Sequence, residues 1–305
     1  MKRRDFLVTI PLLGSATAFG ATTFESGKRK FFRVAHLTDI HVKPGEIPEK
    51  GMAKALHAAQ ELKPKRDFII NSGDSIMDAL EADKPSVAMQ WKLFHEIMKK
   101  ENSLPVYPAI GNHDIWGWFN KNEQDRQDAV YGKQWAVDEL KLTKRYYSFE
   151  KDNWIFIVLD STQLNPKGGY IAYLDEEQLS WFKERLSTTQ NKFVCVVSHI
   201  PVLSICSGLF FNKTEANGDL LLKRNLMHTD FLQLKEVFKL YSNVKVCISG
   251  HIHLQDEVNY LGVRYYCNGA VSGNWWKGNF QEFAPAFAVM DFFEDGSFTR
   301  SIVNY

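Results

Sequence analysis

Six short runs of the chain are apolar at nearly every position: 31–37, 67–70, 106–110, 154–159, 192–197 and 244–248. A strand with one wet face alternates. An almost unbroken apolar run of four to seven residues is what a strand covered on both faces requires. Between these runs, 49–62, 85–100, 125–140, 175–186 and 230–240 carry patterns that predict helices, with Asp175 and Asp230 standing where N-caps belong. Asp152-Asn153 and Asp295-Gly296 predict hairpin turns, and 286–293 and 297–303 read as late strands. Alternating β and α elements followed by hairpins imply an α/β chain with two packed sheets flanked by helices. No repeat, low-complexity run or linker divides residues 22–305, so they are expected to form a single domain. Residues 115–135 and 204–226 are longer, irregular, and rich in aromatic and polar side chains. They predict insertions over the working face.

The first 21 residues have a different pattern. Lys2, Arg3 and Arg4 precede a mostly apolar run to Phe19, and Ala16-Thr17-Ala18 and Phe19-Gly20-Ala21 offer two cleavage sites. This is the layout of a signal peptide, expected at 1–21. The order Arg3-Arg4-Asp5-Phe6-Leu7 resembles a twin-arginine signal. It implies export through the twin-arginine translocase to a periplasmic or extracellular location. An ordinary secretory signal, or a basic tail on a short buried helix, is the plainer alternative. After residue 30 no apolar stretch of about 18 residues predicts a membrane span.

Charge then narrows the partners. Lys plus Arg number 37 and Asp plus Glu 36, a net +1; losing Lys2, Arg3, Arg4 and Asp5 leaves −1. A general nucleic-acid binder would carry a basic excess. Cys195, Cys206, Cys247 and Cys267 show no CxxC spacing, and three of them lie in apolar β-like runs. They read as free core thiols, even for an exported chain.

The candidate chemistry sits where ligands bind in α/β sheets, just past the carboxyl ends of strands. Five of the six runs end in groups able to hold metal. Asp39-Ile40-His41 follows the first, Gly73-Asp74 the second and Gly111-Asn112-His113-Asp114 the third. Ser198-His199 and Gly250-His251-Ile252-His253 follow the last two. Carboxylates and imidazoles together suit divalent transition metals, and a carboxylate can bridge two ions about 3.5–4 Å apart. The i, i+2 pairs Asp39/His41 and His251/His253 would project to one side if the backbone were extended. Each piece alone is more often a turn or a satisfied histidine; the five in succession at strand ends are what point to a dimetal site. Asp160, after the sixth run, reads as structural.

This order, Asp-x-His, Gly-Asp, Gly-Asn-His-Asp, His, Gly-His-x-His, resembles the calcineurin-like metallophosphoesterase superfamily over nearly all of residues 22–305. The resemblance implies a four-layer αββα sandwich of two mixed sheets, with a dimetal site at the strand C-terminal ends. It implies Asp39, His41 and His253 on one metal, Asn112, His199 and His251 on the other, and Asp74 between them. The metals would be two divalent transition-metal ions, Mn, Fe or Zn, with a bridging hydroxide attacking phosphorus in line. His113 matches the general acid for the leaving oxygen, and Asp114 the acid that orients it. Imidazole suits proton transfer near neutral pH. Purple acid phosphatases of this superfamily have a Tyr ligand where this chain has Met77, and they lack the histidine found here as His41. The segment Asn268-Gly269-Ala270-Val271-Ser272-Gly273-Asn274-Trp275-Trp276 and the His41 set are closer to the bacterial cyclic-nucleotide phosphodiesterase branch.

The function this implies is a metal-dependent phosphodiesterase or phosphomonoesterase acting on a small organic phosphate ester. Alternatives are a phospholipid head-group or pyrophosphate hydrolase, or a non-catalytic binding protein on the same fold; a secreted nuclease is disfavoured by the neutral charge. His36 reads as a structural neighbour of the site, His57 and His95 as surface or packing residues, and His228 as a cap or loop-packing residue, with a substrate role as the alternative. Trp116, Trp118, Trp275 and Trp276 pack loops or form a stacking wall, and Phe210-Phe211 packs an insertion or forms part of a lid.

Overall fold

The apolar runs fold as strands whose two faces serve two different cores. The computed structural model describes residues 30–119 and 123–305; the signal segment expected at 1–21 lies outside the described residues. The strands are β1 (Lys30–Leu37), β2 (Phe68–Asn71), β3 (Val106–Pro108), β4 (Tyr147–Lys151), β5 (Trp154–Leu159), β6 (Thr162–Leu164), β7 (Tyr170–Ala172), β8 (Phe193–Ser198), β9 (Lys213–Thr214), β10 (Leu220–Leu221), β11 (Val244–Ser249), β12 (Gln255–Tyr260), β13 (Val263–Asn268), β14 (Ala286–Phe293) and β15 (Phe298–Asn304). The α-helices are α1 (Glu46–Glu61), α2 (Lys84–Glu101), α3 (Lys133–Glu139), α4 (Glu176–Thr188), α5 (Ile205–Phe210) and α6 (Phe231–Leu240).

One sheet has the order β15-β14-β1-β2-β3 and the other β12-β13-β11-β8-β5-β4. Both sheets are mixed: β2 pairs β1 and β3 in parallel while β14 pairs β1 and β15 in antiparallel, and β8 pairs β5 and β11 in parallel while the edge strands β4 and β12 are antiparallel to their neighbours. Side-chain alternation divides the cores. Trp154, Phe156 and Val158 of β5 meet Phe32, Phe68 and Phe292 of the facing sheet. Ile155, Ile157 and Leu159 of the same strand face Phe182 of α4 and Leu234 of α6. On the outer side of the first sheet, Leu37 and Ile69 meet Leu56 of α1 and Trp91 of α2. The result is the expected helix–sheet–sheet–helix sandwich. Burying one such aromatic or aliphatic side chain contributes about 1.5–3 kcal/mol, so this middle layer anchors the strand ends.

Several expected elements differ. The helix expected over 125–140 shrinks to α3, because Gly132 sits at φ +70 and exchanges both backbone hydrogen bonds with Trp116. The strand expected over 106–110 ends at Pro108. Asp175 caps α4 through Gln178 N. Asp230 occupies the N-cap position of α6, but its carboxylate accepts from Leu174 N and meets His228 instead. Both expected hairpin turns form, with Asp152 at φ 53 and Gly296 at φ 80. The β6–β7 and β12–β13 hairpins had no reading from sequence.

Candidate metal centre

Three of the parallel strands, β1, β2 and β11, are followed by donor residues in the left-handed backbone region. Asp39, His41, Asp74, His251 and His253 have φ of 53, 49, 54, 70 and 56. Non-glycine residues seldom accept this conformation, though Asp and His do so more readily than most. A residue held there costs about 1–3 kcal/mol and persists only where its surroundings over-determine it. Here the surroundings are the neighbouring strand ends. Asp39 N donates to Gly73 O at 3.0 Å, His41 N to Asp74 O at 2.9 Å, and His251 N to Asp39 Oδ2 at 2.9 Å. The i, i+2 pairs therefore converge through left-handed turns, not through the extended backbone expected from sequence. At Gly250, a Cβ would collide with the Thr38 and Asp39 side chains, so this approach requires glycine.

The convergence produces two adjoining groups. Donor atoms of Asp39, His41 and His253 lie within 4.8 Å of one another, and so do those of Asp74, His199 and His251. Asp74 stands between them: its Oδ2 is 3.5 Å from His41 Nε2 and 3.3 Å from His199 Nε2. Its Oδ1 accepts from His113 N at 2.8 Å. Asn112 Oδ1 lies 3.0 Å from His199 Nε2 and joins the second group. All seven side chains expected to bind metal are thus brought together.

Three of the four imidazoles are aimed by their second nitrogen. His199 Nδ1 donates to Ser72 O at 3.0 Å, His253 Nδ1 to Gly273 O at 2.5 Å, and His251 Nε2 to Asn225 O at 2.8 Å. This is how metal-ligating histidines are usually oriented. His251 is left with a buried Nδ1 that has no partner among the described residues, and His41 Nδ1 is in the same position. His41 Nε2 and His253 Nε2 face each other at 3.1 Å, both beside Asp39 Oδ1. Buried polar atoms without partners are costly. A cluster of lone pairs converging on carboxylates fits divalent cations, and the donor set is that of transition metals.

Electrostatics points the same way. Burial holds the His41 and His251 rings down to about 3, so both are neutral with a free lone pair. Burial opposes charge on Asp74 and Asp39 as well, but the surrounding histidines outweigh it and keep both carboxylates below their usual range. His199 is pulled down by burial and raised further by Asp74, to about 9.

The structure separates the two residues of the expected catalytic pair. His113 lies at the rim, about a quarter exposed, with its ring edge-on to His41 at 4.8 Å. Asp114 does not orient it. The Asp114 carboxylate is fully buried and accepts from Ser75 N, Ile76 N and Gly111 N at 2.8, 3.3 and 2.9 Å, so it builds the loops that carry Asp74 and Asn112. The acid beside His113 is Asp78, with Oδ1 at 3.9 Å from Nδ1. Asp78 was missed from sequence; its only signal is its place four residues after Asp74. Asn225, inside the 204–226 insertion, was missed too.

Around the site, Trp275 stacks on His253 at 4.3 Å and meets Phe280 edge-on at 5.5 Å, while Phe211 of the insertion stacks on Phe280 at 6.1 Å. Trp276 donates from Nε1 to His41 O. Trp116, in contrast, is buried against Trp135 and serves packing. His228 is buried between Ser198 and Asp230, and His57 and His95 pair with Glu101 and Glu139 at the surface. Asp160 is neutralised by Lys133 and Arg145, a structural role. All four cysteines are free.

The model of the family described as calcineurin-like phosphoesterase matches residues 32–255. The chain is 24% identical over 283 residues to a 3',5'-cyclic-nucleotide phosphodiesterase of Nostoc sp., covering 88% of this chain and 91% of that one. It is 25% identical to the 3',5'-cyclic adenosine monophosphate phosphodiesterase CpdA of Haemophilus influenzae, covering 76% and 73%. Among solved structures, a dimetal phosphatase from Danio rerio superposes with a TM-score of 0.58 at 14% identity, covering 91% of this chain and 100% of that one. The chain belongs to the calcineurin-like phosphoesterase family, and it is a hydrolase of phosphate esters that works with a pair of divalent metal ions.

Proposed function

We propose that the protein is an exported phosphodiesterase for small diesters carrying a flat group, with cyclic nucleotides as the first candidates. Residues 1–21 would be its twin-arginine signal, and residues 22–305 a single catalytic domain. The observation that carries the substrate reading is Trp275. It is half-buried at the mouth of the site, with one face on the ring of His253. Aromatic stacking adds about 0.5–1.5 kcal/mol beyond area burial, enough to select a base-bearing diester. Two relatives that act on cyclic nucleotides support it.

In this reading Asp39, His41 and His253 would hold one metal and Asn112, His199 and His251 the other, with Asp74 standing between the two groups. When bound, the ions acidify water and offset charge on the phosphoryl oxygens. The chain supplies the rest. Ser72 O, Gly273 O and Asn225 O fix which ring nitrogen of each histidine faces the site. His113 carries the proton for the leaving oxygen on Nε2, because Nδ1 is buried and turned towards Asp78. Stacking on Trp275 holds the flat group so that the leaving oxygen lies on the His113 side.

The test compares kcat/KM for 3',5'-cyclic AMP and for base-free glycerophosphoethanolamine in the parent and Trp275→Ala. A loss of about 3–10-fold confined to the cyclic nucleotide is expected from one stacking contact. Equal losses on both would remove the stacking reading, and turnover of monoesters alone would remove the diesterase reading. Export is tested by changing Arg3 and Arg4 to Lys, which should strand precursor in the cytoplasm.

A second reading has one observation in its favour. Ile205, Leu209, Phe210, Leu220 and Leu221 of the insertion are all exposed, and the insertion reaches His251 through Asn225. A phospholipid head-group diester would use such a rim, and turnover of lipid vesicles would exceed that of soluble diesters.

A further inference from the structure

Beneath the site, between the two sheets, runs a chain of buried polar groups that the reaction does not use. Arg300 Nε donates to Asn268 Oδ1 at 2.7 Å. Asn268 Nδ2 meets His36 Nδ1 at 2.7 Å, and His36 Nε2 meets Ser72 Oγ at 2.8 Å. His36, Asn268 and Ser72 are fully buried. Arg300 comes from β15 and lines a surface groove with Glu257, Arg264, Tyr266 and Thr299; its guanidinium lies on the Tyr266 ring at 4.6 Å.

The direction of every bond in this chain follows from one fact: arginine can only donate. Asn268 must therefore turn its oxygen to Arg300 and its NH2 to His36. His36 Nδ1 must then accept, so the ring is neutral with its proton on Nε2, donating to Ser72. Burial favours the neutral ring as well. Two members of the chain, Ser72 and Asn268, matter to the site. Ser72 O aims His199, and the loop that Asn268 begins ends at Gly273 O, which aims His253. That loop is also pinned by Val271 N on Thr38 O and Ser272 N on Asp39 O.

We propose that Arg300 and His36 are positioning residues: Arg300, through Asn268, fixes the Nε2–H tautomer of His36, and this cross-tie holds the two loops that aim one histidine of each metal group. The inference rests on the assignment of His199 and His253 as ligands. It differs from that assignment in naming residues that touch neither metal nor substrate.

Arg300→Gln places an amide nitrogen where Nε stands, so it keeps the donor and loses the charge. Arg300→Glu places an acceptor there, which should flip Asn268 and reverse the chain. Arg300→Met removes the donor with little change in size, and His36→Leu cuts the chain. Ring ¹⁵N spectra of the metal-free proteins report the tautomer, and competition with a chelator reports Mn²⁺ affinity. Expected are Nε2–H in the parent and in Arg300→Gln, a tautomer mixture in Arg300→Met, and Nδ1–H in Arg300→Glu. His36→Leu leaves Ser72 O in place but unties its loop, so Mn²⁺ binding should weaken by roughly 3–10-fold, less than the roughly 10–100-fold cost of losing a ligand's direct partner.

If Arg300→Glu does not fold, Arg300→Met still decides the tautomer claim. An Nδ1–H ring or an imidazolium in the parent at pH 7 would overturn the proposal. So would folded His36→Leu protein with affinity within about twofold of the parent. A parent with the expected tautomer that binds fewer than two ions would instead overturn the ligand assignment.

Discussion

Replacing Gly111 by Ala isolates the central carboxylate of the site. Gly111 has φ −92 and ψ 174, which alanine adopts without strain, so the substitution acts only through its methyl group. That methyl would collide with the backbone nitrogen and Oδ1 of Asp74 and lie 2.8 Å from Asp74 Cγ, where ordinary contact begins at 3.4 Å. The nitrogen and Oδ1 would lie 2.1 Å from the methyl, so Asp74 must shift by roughly 1 Å, and overpacking of this kind costs about 1–3 kcal/mol. The shift breaks the 2.8 Å bond from His113 N and moves Oδ2 relative to His41 and His199. Displacement on the order of 1 Å at a reacting centre lowers rates by about 10²-fold. The assay is metal content by mass spectrometry beside kcat/KM for bis-p-nitrophenyl phosphate, with thermal melts to establish folding. Gly208→Ala on α5 is the control, because nothing lies within 4 Å of its added methyl; its turnover should stay within about twofold, since a surface change away from such features is nearly neutral. Folded Gly111→Ala protein with two metals and parental turnover would refute the packing argument around Asp74.

His113→Ala should keep both metals yet slow alkyl phosphate esters by roughly 10²–10⁴-fold, with a smaller loss for p-nitrophenyl esters, whose leaving group needs little protonation; equal losses would assign His113 to charge stabilisation. Asn112→Ala should differ by losing metal and slowing every ester. In the metal-free protein His199 is raised to about 9, so it carries a proton near pH 7 that a metal must displace, and His253, against the pull of burial, is raised in the same direction by Asp39. Affinity should therefore climb as pH rises towards 9, and calorimetry in buffers of different ionisation enthalpy should show proton release; buffer-independent heats would contradict this. Lys133→Met leaves the buried Asp160 with Arg145 as its remaining cation, and should lower stability by about 1–3 kcal/mol in urea melts, with metal content unchanged.

The metal-binding residue types were legible in the sequence because this chemistry allows few donors and places them directly after buried strands, which apolar runs reveal. Asp39, His41, Asp74, Asn112, His199, His251 and His253 lie next to such runs, and the fold brings them together. The backbone that brings them together was not legible. Five donors sit in left-handed turns, a consequence of hydrogen bonds between loops distant in sequence, such as His251 N to Asp39. The acid near His113 was misplaced for a related reason. Asp114 is adjacent in sequence, but the short 3-10 turn at Asn112–Asp114 sends its carboxylate inward to three backbone N–H groups and leaves Asp78 beside the ring. Asn225 and Arg300 carry no local pattern; only tertiary structure sets them beside or beneath the site. The helix expected over 125–140 failed at Gly132, where one positive φ outweighed the surrounding helical pattern.

The central claim is that seven side chains hold two metal ions with Asp74 between them. Its most direct test is metal stoichiometry in the parent and Asp74→Ala proteins, measured on folded samples after loading with Mn²⁺ and gel filtration, beside hydrolysis of bis-p-nitrophenyl phosphate. The account predicts two ions per chain in the parent, markedly fewer in Asp74→Ala, and hydrolysis that falls with the metal. Two ions in both proteins, or hydrolysis that survives removal of the metal, would contradict it.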